Sequence, residues 1–188
     1  FNNLQARQAV NYAIDRKAVA QLLGGEKLAA PVCTVLPPGF PGHVDFCDYT
    51  SPAGDTWQGP DVEKAKQLLQ DAGKAGLAIT MHAPKLQEIP QLAELVQTQL
   101  KEIGLDITLN VESTDTFYSE GCKVYDSKNA PAGCDGGQNF GIVDYGNRGV
   151  PDVYLVKAYA TGEWNSAHYS STEFNTAVTA YQAALTLD

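Results

Sequence analysis

Two runs of alternating apolar residues, with a helix-periodic stretch between them, set the tightest limit on what this chain can become. Leu77, Ile79 and Met81 form the first run, and Leu105, Ile107, Leu109 and Val111 the second. Successive side chains of a strand point to opposite faces, so each run predicts a strand with one apolar side. Between them Ile89, Leu92, Leu95, Val96, Leu100 and Ile103 recur at the period of one helix face, and Gly104 supplies the stop. Strand, helix and strand joined by short links make a βαβ unit, which implies parallel strands and a right-handed crossover. A further helix precedes the unit. Pro60 sits at its start, Val62, Ala65, Leu68, Leu69 and Ala72 share a face, and Gly73 ends it. The fold class is therefore α/β. No G-x-G-x-x-G or P-loop pattern accompanies the unit, so nothing supports a nucleotide cofactor.

The segments on either side extend this frame. Asn3 is placed to cap a helix in which Ala6, Ala9, Val10, Ala13 and Ile14 recur at helical spacing. Asp15-Arg16-Lys17 interrupts that pattern and can recap a second helix carrying Val19, Leu22 and Leu23, which Gly24-Gly25 stops. Residues 26–59 contain Pro31, Pro37, Pro38, Pro41 and Pro52 and predict an irregular loop. Ser113-Thr114-Asp115 can cap a short helix, and Ser170-x-x-Glu173 forms a capping box ahead of Phe174, Ala177, Val178, Tyr181 and Leu185. Between these caps the run from Phe140 to Val143 reads as a strand ending at Asp144-Tyr145, with Pro151 opening a helix beyond a Gly-rich turn. Open α/β sheets present ligand groups at the carboxyl ends of their strands, which makes Asp144 the candidate anchor; the competing use is a turn cap.

Charge and cysteine placement bound the setting. The formal net charge of −9 lacks the basic footprint that nucleic acid or an anionic membrane would need. Cys33 and Cys47 bracket one loop rich in turn formers, and Cys122 and Cys134 bracket another. Two local disulfides and an exported protein are the expectation, each bridge closing a loop worth about 3 kcal/mol in the chain-entropy model. Crossed pairings are also compatible with the sequence. His43, Asp45 and Cys47 alternate as metal ligands could, but neither a C-x2-C nor an H-x3-H spacing occurs, so no metal is expected. The chain begins at Phe1 without an initiator Met and ends in a helical pattern, so we read residues 1–188 as a single α/β lobe excised from a larger protein.

With these elements in place, the chain resembles the extracellular solute-binding proteins of peptide ABC transporters, the family 5 oligopeptide and dipeptide class. The resemblance is carried by Arg7, Ala9, Ala13, Ile14, Asp15 and Arg16 in the first helix, by Leu36-Pro-Pro-Gly-Phe-Pro-Gly42, by Ala65, Leu68, Leu69, Ala72 and Gly73, and by Leu100, Ile103, Gly104 and Ile107. It covers most of the chain. It implies a type II periplasmic-binding-protein-like lobe, a mixed and mostly parallel sheet flanked by helices, forming the second half of a two-lobed clamp. It also implies that Asp144 binds the α-amine of a peptide, in a W-x-A-D-Y pattern that Asp144 and Tyr145 fit. Pro151-Asp152-Val153-Tyr154-Leu155 fits the helix that follows, and Asn165-Ser-Ala-His168-Tyr169 is similar to a stretch near the family's site. Tyr145, Trp164, Asn165 and His168 join Asp144 as the expected ligand-binding set. Gly141 stands where the family pattern has Trp, and the turn 146–150 is longer than usual; both bear on which solute is taken.

The resemblance implies an extracellular, surface-anchored or periplasmic binding protein, not an enzyme, that takes up a peptide or other small solute and passes it to a membrane permease. The missing first lobe is the remaining partner. Other solutes (an oligosaccharide or a metal chelate) are the alternative on the same fold. A secreted hydrolase is the rival from another class. It has only His43, His82 and His168 as bases and no G-x-S-x-G signature.

Overall fold

The computed structural model describes residues 3–117, 139–141, 155 and 169–185. Within them the α/β frame is as expected. The first helix, α1 (Leu4–Ala13), begins where the Asn3 side chain accepts the Ala6 N–H at 2.9 Å. It stops at Ile14, whose extended backbone turns the chain, and α2 (Arg16–Leu22) restarts because the Asp15 carboxylate accepts the Lys17 and Ala18 N–H groups. Helix α3 (Val62–Asp71) is capped by Asp61, which accepts from Lys64 N at 3.0 Å, so Pro60 lies two residues ahead of the first helical position. The Asp61 N–H in turn donates to the Tyr12 carbonyl at 2.8 Å and ties the start of α3 to α1.

The central unit is strand β1 (Ala78–Pro84), helix α4 (Ile89–Glu102) and strand β2 (Asp106–Glu112). Helices α3 and α4 end in the same way. Gly73 at φ +62 and Gly104 at φ +92 take the left-handed conformation that glycine adopts without a Cβ penalty. Past Gly73, the N–H of Gly73 bonds to Gln70 O and that of Lys74 to Leu69 O; past Gly104, Gly104 bonds to Lys101 O and Leu105 to Leu100 O. Both are Schellman caps, and the second turns the chain straight into β2.

The described sheet has the order β2-β1-β3, with β3 at Asn139–Gly141, and both pairings are parallel. Its register sets Ala78 opposite Asp106 through to Pro84 opposite Glu112, and Thr80, Met81 and His82 opposite Asn139, Phe140 and Gly141. One face is apolar and closed. Ile79, Met81, Ala83 and Ile107 meet Ala93, Val96 and Leu100 of α4, and the same core runs on to Ala9 and Tyr12 of α1 and Ala65 and Leu69 of α3. Burying a side chain of Leu or Met size contributes about 1.5–3 kcal/mol, so this layer carries the stability of the lobe. The opposite face is polar and exposed at Thr80, Thr108 and Asn110. The strict alternation in the sequence reflects this one-sided burial, since a parallel sheet covered on both faces reads as a continuous apolar run.

The loop 26–59 has no regular periodicity but is held at several points. Cys33 and Cys47 form a disulfide with a Cα–Cα distance of 5.0 Å. Cys47 and Gly54 pair as an isolated antiparallel bridge, and the Tyr12 hydroxyl donates to the Asp48 carbonyl at 3.3 Å. Thr50, 1% exposed, donates to Gly59 O and accepts from Gln58 N. The Arg16 guanidinium donates to the Val32 carbonyl, so the cation of α2 has a structural use in anchoring this loop. Helix α6 (Thr172–Leu185) is capped by Ser171, whose hydroxyl accepts from Phe174 N at 3.2 Å, one residue later than the Ser170 box predicts. Phe174, Val178 and Tyr181 turn inward as expected, whereas Ala177 is exposed. The short helix α5 (Thr114–Thr116) is capped by Ser113, as anticipated.

Candidate functional site

Because the described strands run parallel, their carboxyl ends share one edge of the sheet: Pro84, Glu112 and Gly141 close β1, β2 and β3 there. This edge is where open α/β sheets place their ligands. The backbone is tied across it by the Lys85 N–H, which donates to the Glu112 carbonyl at 2.7 Å. The turn from β1 into α4 contains Gln87 at φ +44, the one non-glycine residue with positive φ among those described. Side chains seldom hold that conformation, and such strain tends to collect near functional sites.

Strand β3 is the strand predicted ahead of Asp144, and it joins the sheet beside β1 in the parallel sense. Asp144 follows its last residue by three positions and Tyr145 by four. Asp144, Tyr145, Trp164, Asn165 and His168 lie outside the described residues, as do Cys122 and Cys134.

What the edge does show is a polar pair that the sequence reading passed over. His82, two residues before the end of β1, places Nδ1 2.9 Å from Glu112 Oε1, the last residue of β2. Asn110 approaches the same nitrogen at 3.4 Å. The side chains of His82 and Glu112 are 20% and 14% exposed, so the contact is largely sheltered from water. The signal in the sequence was parity. His82 falls on the polar side of an otherwise apolar alternation, and Glu112 does likewise. Their meeting depends on strand register, which no local pattern displays.

The other described imidazole has a different environment. His43 directs Nδ1 to the Leu36 carbonyl at 2.7 Å and Nε2 to Asp45 Oδ1 at 3.0 Å. Both neighbours are acceptors, so the ring is best satisfied as an imidazolium donating from both nitrogens. Its pKa is accordingly raised, first by the hydrogen bond to Asp45 and then by that to the Leu36 carbonyl. Thr34 Oγ1 lies 3.3 Å from Nδ1, yet that hydroxyl donates to Leu36 O at 3.0 Å and faces a nitrogen already used as a donor. A ring in this state cannot serve as a general base toward Thr34. Cys47, the third member of the alternating His43-Asp45-Cys47 set, is spent in the disulfide and offers no thiolate. Among the described residues no group of three or more His, Cys, Asp or Glu side chains is arranged to hold a metal ion. Among them, too, no helix is long and apolar enough to cross a membrane.

Comparison with known proteins identifies this architecture. Residues 1–162 match the family described as bacterial extracellular solute-binding proteins, family 5 Middle, and the chain belongs to that family. It is 32% identical over 111 residues to a probable peptide ABC transporter periplasmic-binding protein, y4tO, of Sinorhizobium fredii, a match covering 58% of this chain and 20% of that protein. Among solved structures it resembles the oligopeptide-binding protein AppA of Bacillus subtilis in complex with a nonapeptide. That likeness has a TM-score of 0.66 at 20% identity and covers 96% of this chain and 36% of the other. It is also similar to the ABC transporter substrate-binding protein CtaP of Listeria monocytogenes, with a TM-score of 0.68 at 22% identity over 98% of this chain and 34% of that one. These likenesses show the type II periplasmic-binding-protein fold. The chain spans about a fifth of the length of the curated relative and about a third of each solved structure.

Proposed function

We propose that this chain is the second lobe of a two-lobed extracellular solute-binding protein that captures peptides by their α-amine and presents them to an ABC permease. The observation that carries the reading is the placement of β3. It pairs in parallel with the central strand β1, and the chain leaves its carboxyl end three residues ahead of Asp144. Membership of the solute-binding family and the peptides named for its relatives support the same conclusion. In this reading Asp144 pairs with the ligand ammonium, a charge-assisted contact worth about 1.5–3 kcal/mol when shielded from water. Tyr145, Trp164, Asn165 and His168 line the space around it. The other lobe supplies the opposing wall, and hinge closure buries the solute and forms the surface the permease reads.

The test is a thermal shift of the full-length protein with pooled di- to hexapeptides, free or acetylated at their N-terminus, alongside a pool of oligosaccharides. Stabilisation by the free peptides, abolished by acetylation and by Asp144→Asn, is the expected result. Stabilisation by oligosaccharides alone discards the peptide, and full retention of peptide binding in Asp144→Asn discards the anchor.

A further inference from the structure

The pair at the carboxyl edge does more than join two strands. A structural tie between β1 and β2 needs one hydrogen bond, and His82 makes it through Nδ1 to Glu112. A carboxylate acceptor on Nδ1 fixes the proton there, which leaves Nε2 with its lone pair. Nε2 has no hydrogen-bond partner among the described residues. In register with His82 on the next strand stands Gly141, which carries no side chain. Residues in register on neighbouring strands share a face of the sheet. A ring held in orientation by a carboxylate, unpartnered on its far nitrogen and flanked by a glycine, has the construction of a positioned hydrogen-bonding group.

We propose that His82 is a ligand-contact residue of the solute site, and that it presents Nε2 as an acceptor to an amide or ammonium N–H of the bound peptide. Glu112 is its positioning residue. The proposal rests on the reading of this chain as a peptide-capturing lobe. Among the described residues the titratable group facing His82 is Glu112 on β2; Asn110 beside it and Gly141 on β3 carry no charge, and α4 packs on the opposite, apolar face.

The experiment measures, at neutral pH, the concentration of the pooled di- to hexapeptides that half-maximally stabilises the full-length protein. His82→Leu should raise that concentration about threefold to tenfold, the worth of one hydrogen bond. His82→Gln keeps an acceptor at the position of Nε2, so it should bind within about twofold of wild type. Binding by His82→Leu equal to wild type, or binding by His82→Gln as weak as by His82→Leu, overturns the proposal. Should His82→Leu fail to fold, His82→Asn, which keeps a polar partner for Glu112 but withdraws the outer acceptor, should show the same loss, and binding equal to wild type overturns the proposal. An imidazole nitrogen NMR spectrum of the free protein gives a second arm: the Nδ1–H tautomer is expected, and the Nε2–H tautomer overturns the assignment. Failure of the peptide pool to stabilise the wild-type protein rejects the peptide reading and this proposal together. Peptide binding that ignores His82 rejects only the latter.

Discussion

Removing the Cys33–Cys47 bridge by the double substitution to alanine should cost about 3 kcal/mol, because the bond constrains the unfolded chain across a sequence separation of 14. In the chain-entropy model the unfolded state regains about 10 cal/mol/K on release of a loop of this size, which gives that figure at room temperature. The native loop keeps its other anchors, so the folded state has little to gain from the cut. His43 still bridges Leu36 and Asp45, Arg16 still holds the Val32 carbonyl, and Tyr12 still holds Asp48. Cys47 is 4% exposed, so deleting its sulfur also leaves a small void, and the total can exceed the entropic part by about 1 kcal/mol. Urea unfolding followed by the fluorescence of the two tryptophans, one of them Trp57 in this loop, measures the change. The midpoint should fall, and the slope should rise slightly because the released loop lets the unfolded chain expand. Reductant alone is a poorer test, since it would also open any bridge between Cys122 and Cys134, whereas the double substitution isolates one loop. A loss below about 1 kcal/mol in the stability extrapolated to water would refute the reasoning and mean that the loop is ordered by its own contacts.

Two other outcomes follow from the described contacts. Leu100 is fully buried at the centre of the core, so Leu100→Ala should destabilise by about 2.7–5 kcal/mol in calorimetry or urea unfolding; a loss under about 1 kcal/mol would mean the β1–α4–β2 layer is not the core. His43 has its folded pKa raised by Asp45 and the Leu36 carbonyl, so the stability it contributes is complete below its unfolded value of about 6.5 and is lost as pH rises through the higher folded value. Proton NMR of the His43 ring should give a midpoint above the unperturbed one, and Asp45→Asn should bring it down; a midpoint that ignores the substitution would remove Asp45 as the cause.

The parts of the fold that the sequence displayed are those governed by local chemistry. The βαβ unit was legible because alternation and helical periodicity follow directly from backbone geometry, and its glycine stops were legible because Gly73 and Gly104 must adopt positive φ. The recapping at Asp15 was legible for the same reason, since a short acceptor ahead of free N–H groups is a local signal. The cap of α6 fell one residue off because Ser170 and Ser171 are adjacent and equally able to accept, so only the packing of Phe174 and Val178 selects between them. The site was legible only in part. The strand before Asp144 could be read from its apolar run, but its place beside β1 depends on contacts far along the chain, as does the meeting of His82 with Glu112 at a separation of 30 residues.

That division has a physical origin in the sheet itself. Burial of one face fixes the register, because a slip of one residue would turn Ile79, Met81 and Ile107 out of the core and Thr80 and Thr108 into it. Once register is fixed by the apolar face, the polar face has no freedom of its own. His82 is set opposite Asn110 on one side and Gly141 on the other, and Glu112 stands two residues beyond Asn110 on the same face of β2. The core therefore positions the polar groups at the sheet edge. Substitutions in Met81 or Ile107 that loosen the register should displace the His82–Glu112 pair along with the stability they remove, whereas changes on the polar face should leave the core intact. This asymmetry allows the polar groups on the open face of such a lobe to vary while the apolar layer that aims them is kept.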